Sequence, residues 1–157
     1  MKHQIVLILY NLRSVYNTGA IFRTAEAAGI GNIYLIGTTP APRDRFGRLR
    51  TDFTKTSLGA EKTIAWEKRE RIFSLLGQLK KEKFKIIALE QSSKSRDYKK
   101  IHPSAKTAII LGNEVSGLPK KILDKCDEIG EIKMLGRKES LNVSVAAGIF
   151  IFRLLNI

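Results

Sequence analysis

The reading of this chain turns on Ile132-Lys133-Met134-Leu135-Gly136-Arg137-Lys138-Glu139-Ser140-Leu141-Asn142-Val143-Ser144-Val145-Ala146. A short apolar strand enters a basic loop containing a glycine. The loop runs into Ser-Leu-Asn-Val-Ser and then into an apolar helix. Ser and Asn side chains accept from the unpaired N–H groups of a first helical turn. Taken alone, the stretch reads first as a capped core helix and decides nothing. Two more stretches, Asn11–Gly29 and Leu111–Pro119, give it weight.

Working outward, apolar runs predict strands at Ile5–Tyr10, Ile33–Ile36, Lys62–Trp66, Phe84–Leu89, Thr107–Leu111 and Ile129–Met134. Ile5–Tyr10 is continuous and β-branched, as in a strand covered on both faces. A helix is expected after it, with Asn17 as N-cap and Gly29 as the C′ residue. Ile72, Leu75, Leu76 and Leu79 give Lys68–Lys81 helical spacing. Leu58-Gly59-Ala60 ends a short helical turn, Pro119 starts a helix over Lys120–Lys125, and Asn142–Leu155 is the final helix. Thr38–Lys55 and Glu90–Lys106 read as loops. Alternating strands and helices predict an α/β domain with a mostly parallel sheet.

The 157 residues suit one domain, and the formal net charge is +13. That balance favours a polyanionic partner, nucleic acid before an anionic membrane surface, over a merely solvated basic surface. The single cysteine, Cys126, allows no internal disulfide or cysteine-cluster zinc site and reads as a small buried hydrophobe. With only His3 and His102, no metal site is expected. The apolar run Ile5–Tyr10 is too short for a signal peptide or a span, and Val143–Ile157 carries Arg153 and Asn156. A cytoplasmic protein with no membrane partner is expected. The loop Thr38–Lys55 carries Arg43, Arg45, Arg48 and Arg50, with Phe46 and Phe53 between. Arginine forks suit phosphates and aromatic faces suit unstacked bases. The other reading is a solvated loop whose Phe residues anchor it to the core.

In the first stretch, Gly19, Arg23 and Glu26 share a helix face by spacing. Gly19 admits a close neighbour and Arg23 projects a permanent cation; the plain alternative is an Arg23–Glu26 surface pair. In the second stretch, Gly112 and Gly117 have P-loop spacing, but Leu118 and Pro119 stand where that motif needs Lys and Ser or Thr. Glu114 would also repel a triphosphate. A two-glycine loop after a strand instead offers bare backbone groups to an adenosine-type ligand.

In this order the three stretches resemble the motifs of the SpoU/TrmH family of RNA ribose 2′-O-methyltransferases, in the SPOUT superfamily. Asn11, Asn17, Gly19, Ala20, Arg23, Thr24 and Ala25 match the first motif. Leu111-Gly112-Asn113-Glu114-Val115-Ser116-Gly117-Leu118 is similar to the second, and Ile132–Ala146 to the third. The resemblance runs from Ile5 to Leu154. Lys133 stands where the family usually has Pro, and a change in loop stiffness is expected there.

The resemblance implies a C-terminal trefoil knot, from about Leu89 onward, that binds S-adenosylmethionine. By family position Leu89, Gly112, Ile132, Ser140 and Leu141 line the cofactor. Arg23, with Asn17, Glu114, Ser140 and Asn142 around it, is implied for methyl transfer to RNA, tRNA or rRNA. A homodimer is implied, with Ile149, Phe150 and Phe152 either at its interface or in an ordinary core. Some members carry an N-terminal RNA-binding domain. Here the first strand is expected from residue 4, so a single domain over 1–157 without that extension is expected, with Thr38–Lys55 and Glu90–Lys106 reading the RNA. The alternative function is an RNA-binding module of the same fold that has lost catalysis.

Overall fold

A computed structural model describes residues 3–157. Its strands are β1 (Gln4–Tyr10), β2 (Asn32–Ile36), β3 (Ala65–Arg69), β4 (Lys85–Leu89), β5 (Arg96–Asp97), β6 (Lys106–Leu111) and β7 (Glu128–Glu131). They form one sheet in the order β3-β2-β1-β6-β4-β7-β5. Every pairing is parallel, so the expected mostly parallel sheet is parallel throughout the described residues.

The register puts Leu7 between Ile33 and Ile109, and Ile109 beside Ile87. Alternate side chains then serve two apolar layers. Ile5, Leu7 and Leu9 face one with Ile21, Phe22, Phe53, Phe150 and Ile151. Val6 and Ile8 face the other with Ile72, Leu75, Leu76, Leu79 and Ile122. Burying each such side chain is worth about 1.5–3 kcal/mol. Both sheet faces are covered, which is why the central strands read as unbroken apolar runs. The edge strand β3 is mostly exposed and carries Glu67, Lys68 and Arg69, which discourage pairing with another chain.

Helices α1 (Val15–Ala27), α2 (Thr51–Ser57), α3 (Ala60–Thr63), α4 (Ile72–Lys81), α5 (Lys120–Leu123) and α6 (Val143–Leu155) complete the layers. Gly29, at φ +70°, ends α1 as expected. Its N–H donates to Glu26 O, and Ile30 N–H donates to Ala25 O, the paired bonds of a Schellman ending.

Several elements differ from the sequence reading. The N-cap of α1 is Ser14, whose hydroxyl accepts from Asn17 N–H at 3.0 Å, while the Asn17 side chain goes to tertiary partners. The segment read as a loop over Thr38–Lys55 ends inside α2, a helix without apolar periodicity that has one buried apolar residue. Its fully buried Phe53 meets Phe22 edge-on, with ring centroids 5.1 Å apart. The third strand starts at Ala65, because Ala60–Thr63 is helical. Glu90–Lys106 contains β5 and a 3-10 turn over Tyr98–Lys100, and β7 stops at Glu131. Pro119 is the N-cap of α5, one position earlier than expected.

Candidate active site

Because the strands run one way, the loops leaving β1, β6, β4 and β7 open on one edge of the sheet, where parallel α/β folds bind ligands. Glu114, after β6, holds the loop after β1. Its carboxylate accepts from Arg13 N–H at 2.9 Å and from Ser14 N–H at 3.0 Å. It also accepts from the Asn17 amide at 3.4 Å. Asn17 is buried, so both ends of its amide need partners. The other end, Oδ1, accepts from Asn142 Nδ2 at 3.0 Å. Asn142 Oδ1 in turn accepts from Ser144 N–H at 2.9 Å and Val145 N–H at 3.4 Å, capping α6. One hydrogen-bonded chain therefore joins all three sequence stretches, across positions far apart in the chain.

Burial alone would raise the Glu114 carboxyl. The N–H groups of Arg13, Ser14 and Glu114 itself, with the Asn17 amide, together outweigh it, and its pKa lies below the ordinary 4.5. A carboxylate so engaged is a poor proton acceptor and a good clamp.

Beside this chain lies a cavity of about 320 Å³. All five positions matched to the cofactor, Leu89, Gly112, Ile132, Ser140 and Leu141, line it, as does Glu114. A Cβ on Gly112 would come within 2.7 Å of the Gly117 carbonyl carbon, so only glycine lets these two loop ends meet. The titratable groups on the wall are Glu90, Glu114 and Glu139, with no Lys, Arg or His. In a chain of net charge +13 that wall favours a cationic ligand and repels a phosphate. Among the described residues no group of three or more His, Cys, Asp or Glu could hold a metal ion.

Arg23 is not on this wall. It borders a separate shallow groove between α1 and α6 with Tyr16, Lys55, Thr56 and Phe152. Among the described ion pairs none joins Arg23 to Glu26. The close neighbour admitted by Gly19 is α2: a Cβ there would lie 2.0 Å from Thr56 Oγ1.

The four arginines of the long loop sit on a tight hairpin whose Arg43 and Leu49 pair antiparallel. Arg48 is bonded to Asp44 at 3.0 Å, and Arg50 reaches Asp52 at 2.7 Å. Arg43 donates to Gly47 O at 2.8 Å, and Arg45 lies 4.7 Å from the Phe46 ring centroid. The two phenylalanines divide: Phe53 anchors the segment, and Phe46 is exposed.

Two further residues shape the site. Glu90 accepts from Leu118 N–H and Gln91 N–H, both at 2.9 Å, bracing the β6 loop against the β4 loop. Nothing local marked it among the polar residues that follow Leu89. Asn113 donates to Asn11 O at 2.7 Å and accepts from Val115 N–H and Ser116 N–H. Its turn-forming type, next to Gly112, was the available signal.

The family model described as the SpoU rRNA Methylase family matches residues 4–152. A relative from Staphylococcus aureus (strain COL), named for the TrmH family of tRNA/rRNA methyltransferases, is 31% identical over 147 residues. The match covers 94% of this chain and 56% of that protein, so the chain spans little more than half the relative's length. The AdoMet-bound rRNA methyltransferase of Sinorhizobium meliloti superposes with a TM-score of 0.87 at 25% identity, covering 99% of this chain and 57% of that one. The TrmH/SpoU tRNA modifying enzyme of A. aeolicus gives 0.85 at 25%, covering 99% and 75%. With the model matched from β1 into α6, across all three linked stretches, the chain belongs to the SpoU rRNA Methylase family.

Proposed function

We propose that this protein methylates a ribose 2′-hydroxyl in structured RNA, tRNA or rRNA, using S-adenosylmethionine. The observation that carries the proposal is the Glu114–Asn17–Asn142 chain at the mouth of an acid-lined cavity. The cavity suits the cofactor in charge: its carboxylates match a sulfonium cation, and its backbone loops suit an adenosine. Leu89, Gly112, Ile132, Ser140 and Leu141 would hold it. When bound, the cofactor supplies an electrophilic methyl group.

The chain's own residues orient and neutralise. Glu114 fixes the Arg13–Ser14 turn, and Asn17 and Asn142 brace the entrance of α1 against that of α6. Holding reactants in line can lower a barrier by about 7–11 kcal/mol. Arg23 carries a guanidinium, so it acts as a cation toward the RNA phosphate and the developing alkoxide rather than as a base.

A homodimer belongs to the same reading. Val145, Ile149 and Phe152 form an exposed apolar line along α6 beside Tyr16 and the Arg23 groove, a face that a second copy would cover. The trefoil knot is supported by strand order. β7 lies between β4 and β5, so the β4–β5 connection spans the end of β7. The chain leaving β7 meets that connection where Gln91 donates to Glu139 O at 2.6 Å, and then enters α6.

Labelled-methyl transfer to RNA from cells lacking the gene tests the function. Label is expected in RNA at 2′-O-methyl positions. Arg23→Ala is expected to slow single-turnover transfer by about 10²–10³ while leaving cofactor affinity unchanged. Folded protein that binds RNA and transfers nothing would favour the catalytically inactive RNA-binding module, which the unusual Lys133 keeps open.

A further inference from the structure

The hairpin after β2 presents an exposed aromatic ring from a densely hydrogen-bonded turn. Asp44 Oδ1 accepts from Phe46 N–H at 2.8 Å and Arg48 N–H at 3.0 Å. Asp44 N–H donates to Arg48 O at 2.9 Å, Gly47 N–H to Asp44 O at 3.0 Å, and Arg50 N–H to Pro42 O at 2.9 Å. All this order presents Phe46, which is 66% exposed and adds nothing to either apolar layer. Two guanidinium groups lie against the ring, Arg45 at 4.7 Å and Arg48 at 5.0 Å from its centroid. Arg48 is pinned by Asp44. Arg45 has no acceptor among the described hydrogen bonds and is free to swing to a phosphate while the ring takes another partner.

The hairpin is also tied to the site. Thr38 N–H donates to Asn11 Oδ1 at 3.2 Å, and Leu12 N–H donates to Thr39 Oγ1 at 3.0 Å. Asn11 and Leu12 lead directly into the turn that Glu114 clamps. The ring therefore stands on the same edge of the sheet as the cavity, beyond β1 and β2.

We propose that Phe46 is a stacking platform for one unpaired base of the RNA substrate, with Arg45 taking an adjoining phosphate. The proposal rests on the RNA reading above and deepens it, because it makes recognition depend on unpaired nucleotides of the substrate. A π-face accepts any base, so the platform selects for an unpaired strand rather than for one base.

The test compares the full chain with Phe46→Ala and Phe46→Trp, each shown to be folded by circular dichroism. The probes are labelled bulk tRNA and an RNA duplex without unpaired nucleotides. Phe46→Ala is expected to weaken tRNA binding by about tenfold or more, the scale of one lost stack. Its salt slope should not change, since no phosphate contact is removed. Duplex binding should be unaffected, and Phe46→Trp should bind tRNA at least as well as wild type. Phe46→Ala that binds tRNA like wild type, or that loses duplex affinity equally, overturns the platform alone. Wild-type protein that binds neither RNA overturns the RNA reading and this proposal together.

Discussion

Glu114 shows how one side chain can organise a site without taking part in its chemistry. Its carboxylate is committed to Arg13, Ser14 and Asn17, and these donors with its own N–H keep its pKa below 4.5 despite burial. A group whose pKa is depressed on folding stabilises the fold above its unfolded pKa. That contribution is lost as pH falls through the folded value. Glu114→Gln should therefore cost about 1.5–3 kcal/mol at neutral pH, the scale of hydrogen bonds to a charged group. It should also flatten the fall in urea midpoint below about pH 4.5. Equal acid sensitivity in the two proteins would show that the clamp contributes nothing. Cys126 is the contrasting case: half-buried, beside the negative Asp127, with its thiol pushed up to about 12. It remains a thiol donating to Ile122 O, in keeping with a packing residue. Asn17 marks the limit of local reading. Its type suits a cap, yet Ser14 caps the helix and Asn17 bonds to residues 97 and 125 positions away.

The pairing of α1 with α2 depends on a missing side chain. Alanine at position 19 would gain up to about 1 kcal/mol of helix propensity over glycine. Its Cβ would stand 2.0 Å from Thr56 Oγ1 and 3.0 Å from Phe53 O, and a backbone carbonyl cannot step aside without moving α2. Overpacking of this kind costs about 1–3 kcal/mol. Gly19→Ala should lower the thermal midpoint, and adding Thr56→Ala, which removes Oγ1 but keeps the clash with Phe53 O, should restore it only in part. An unchanged midpoint would mean that the two helices pack loosely. α2 itself was invisible to pattern reading, because a seven-residue helix with one buried anchor, Phe53, leaves no periodic trace. α4 was legible because Ile72, Leu75, Leu76 and Leu79 all face the core.

Across the whole molecule, threading of the C-terminal segment has a mechanical consequence. A chain pulled from its two ends extends by at most about 3.3–3.6 Å per residue. If the C-terminal segment is threaded, pulling from residue 4 and residue 157 in an optical trap should end short of that length, because the knot tightens instead of opening. Pulling between residues 4 and 89, which excludes the threaded segment, should reach full extension. Full extension in both pulls would make the fold an unknotted parallel sheet.

Taken by itself, the amino-acid sequence determined the alternation of strands and helices and the two-sided burial of β1. Each rests on short-range signals: continuous apolar runs or helical spacing. Leu89, Gly112, Ile132, Ser140 and Leu141 lie on separate segments, yet resemblance alone placed all five at one cavity. Tertiary structure alone decided which polar groups meet. Glu114 reaching Arg13, Asn142 reaching Asn17, and Arg23 turning to a different groove follow from strand order and helix packing. The physical reason is that a hydrogen bond reads angstroms, and strand order sets angstroms between residues that sequence separation cannot relate.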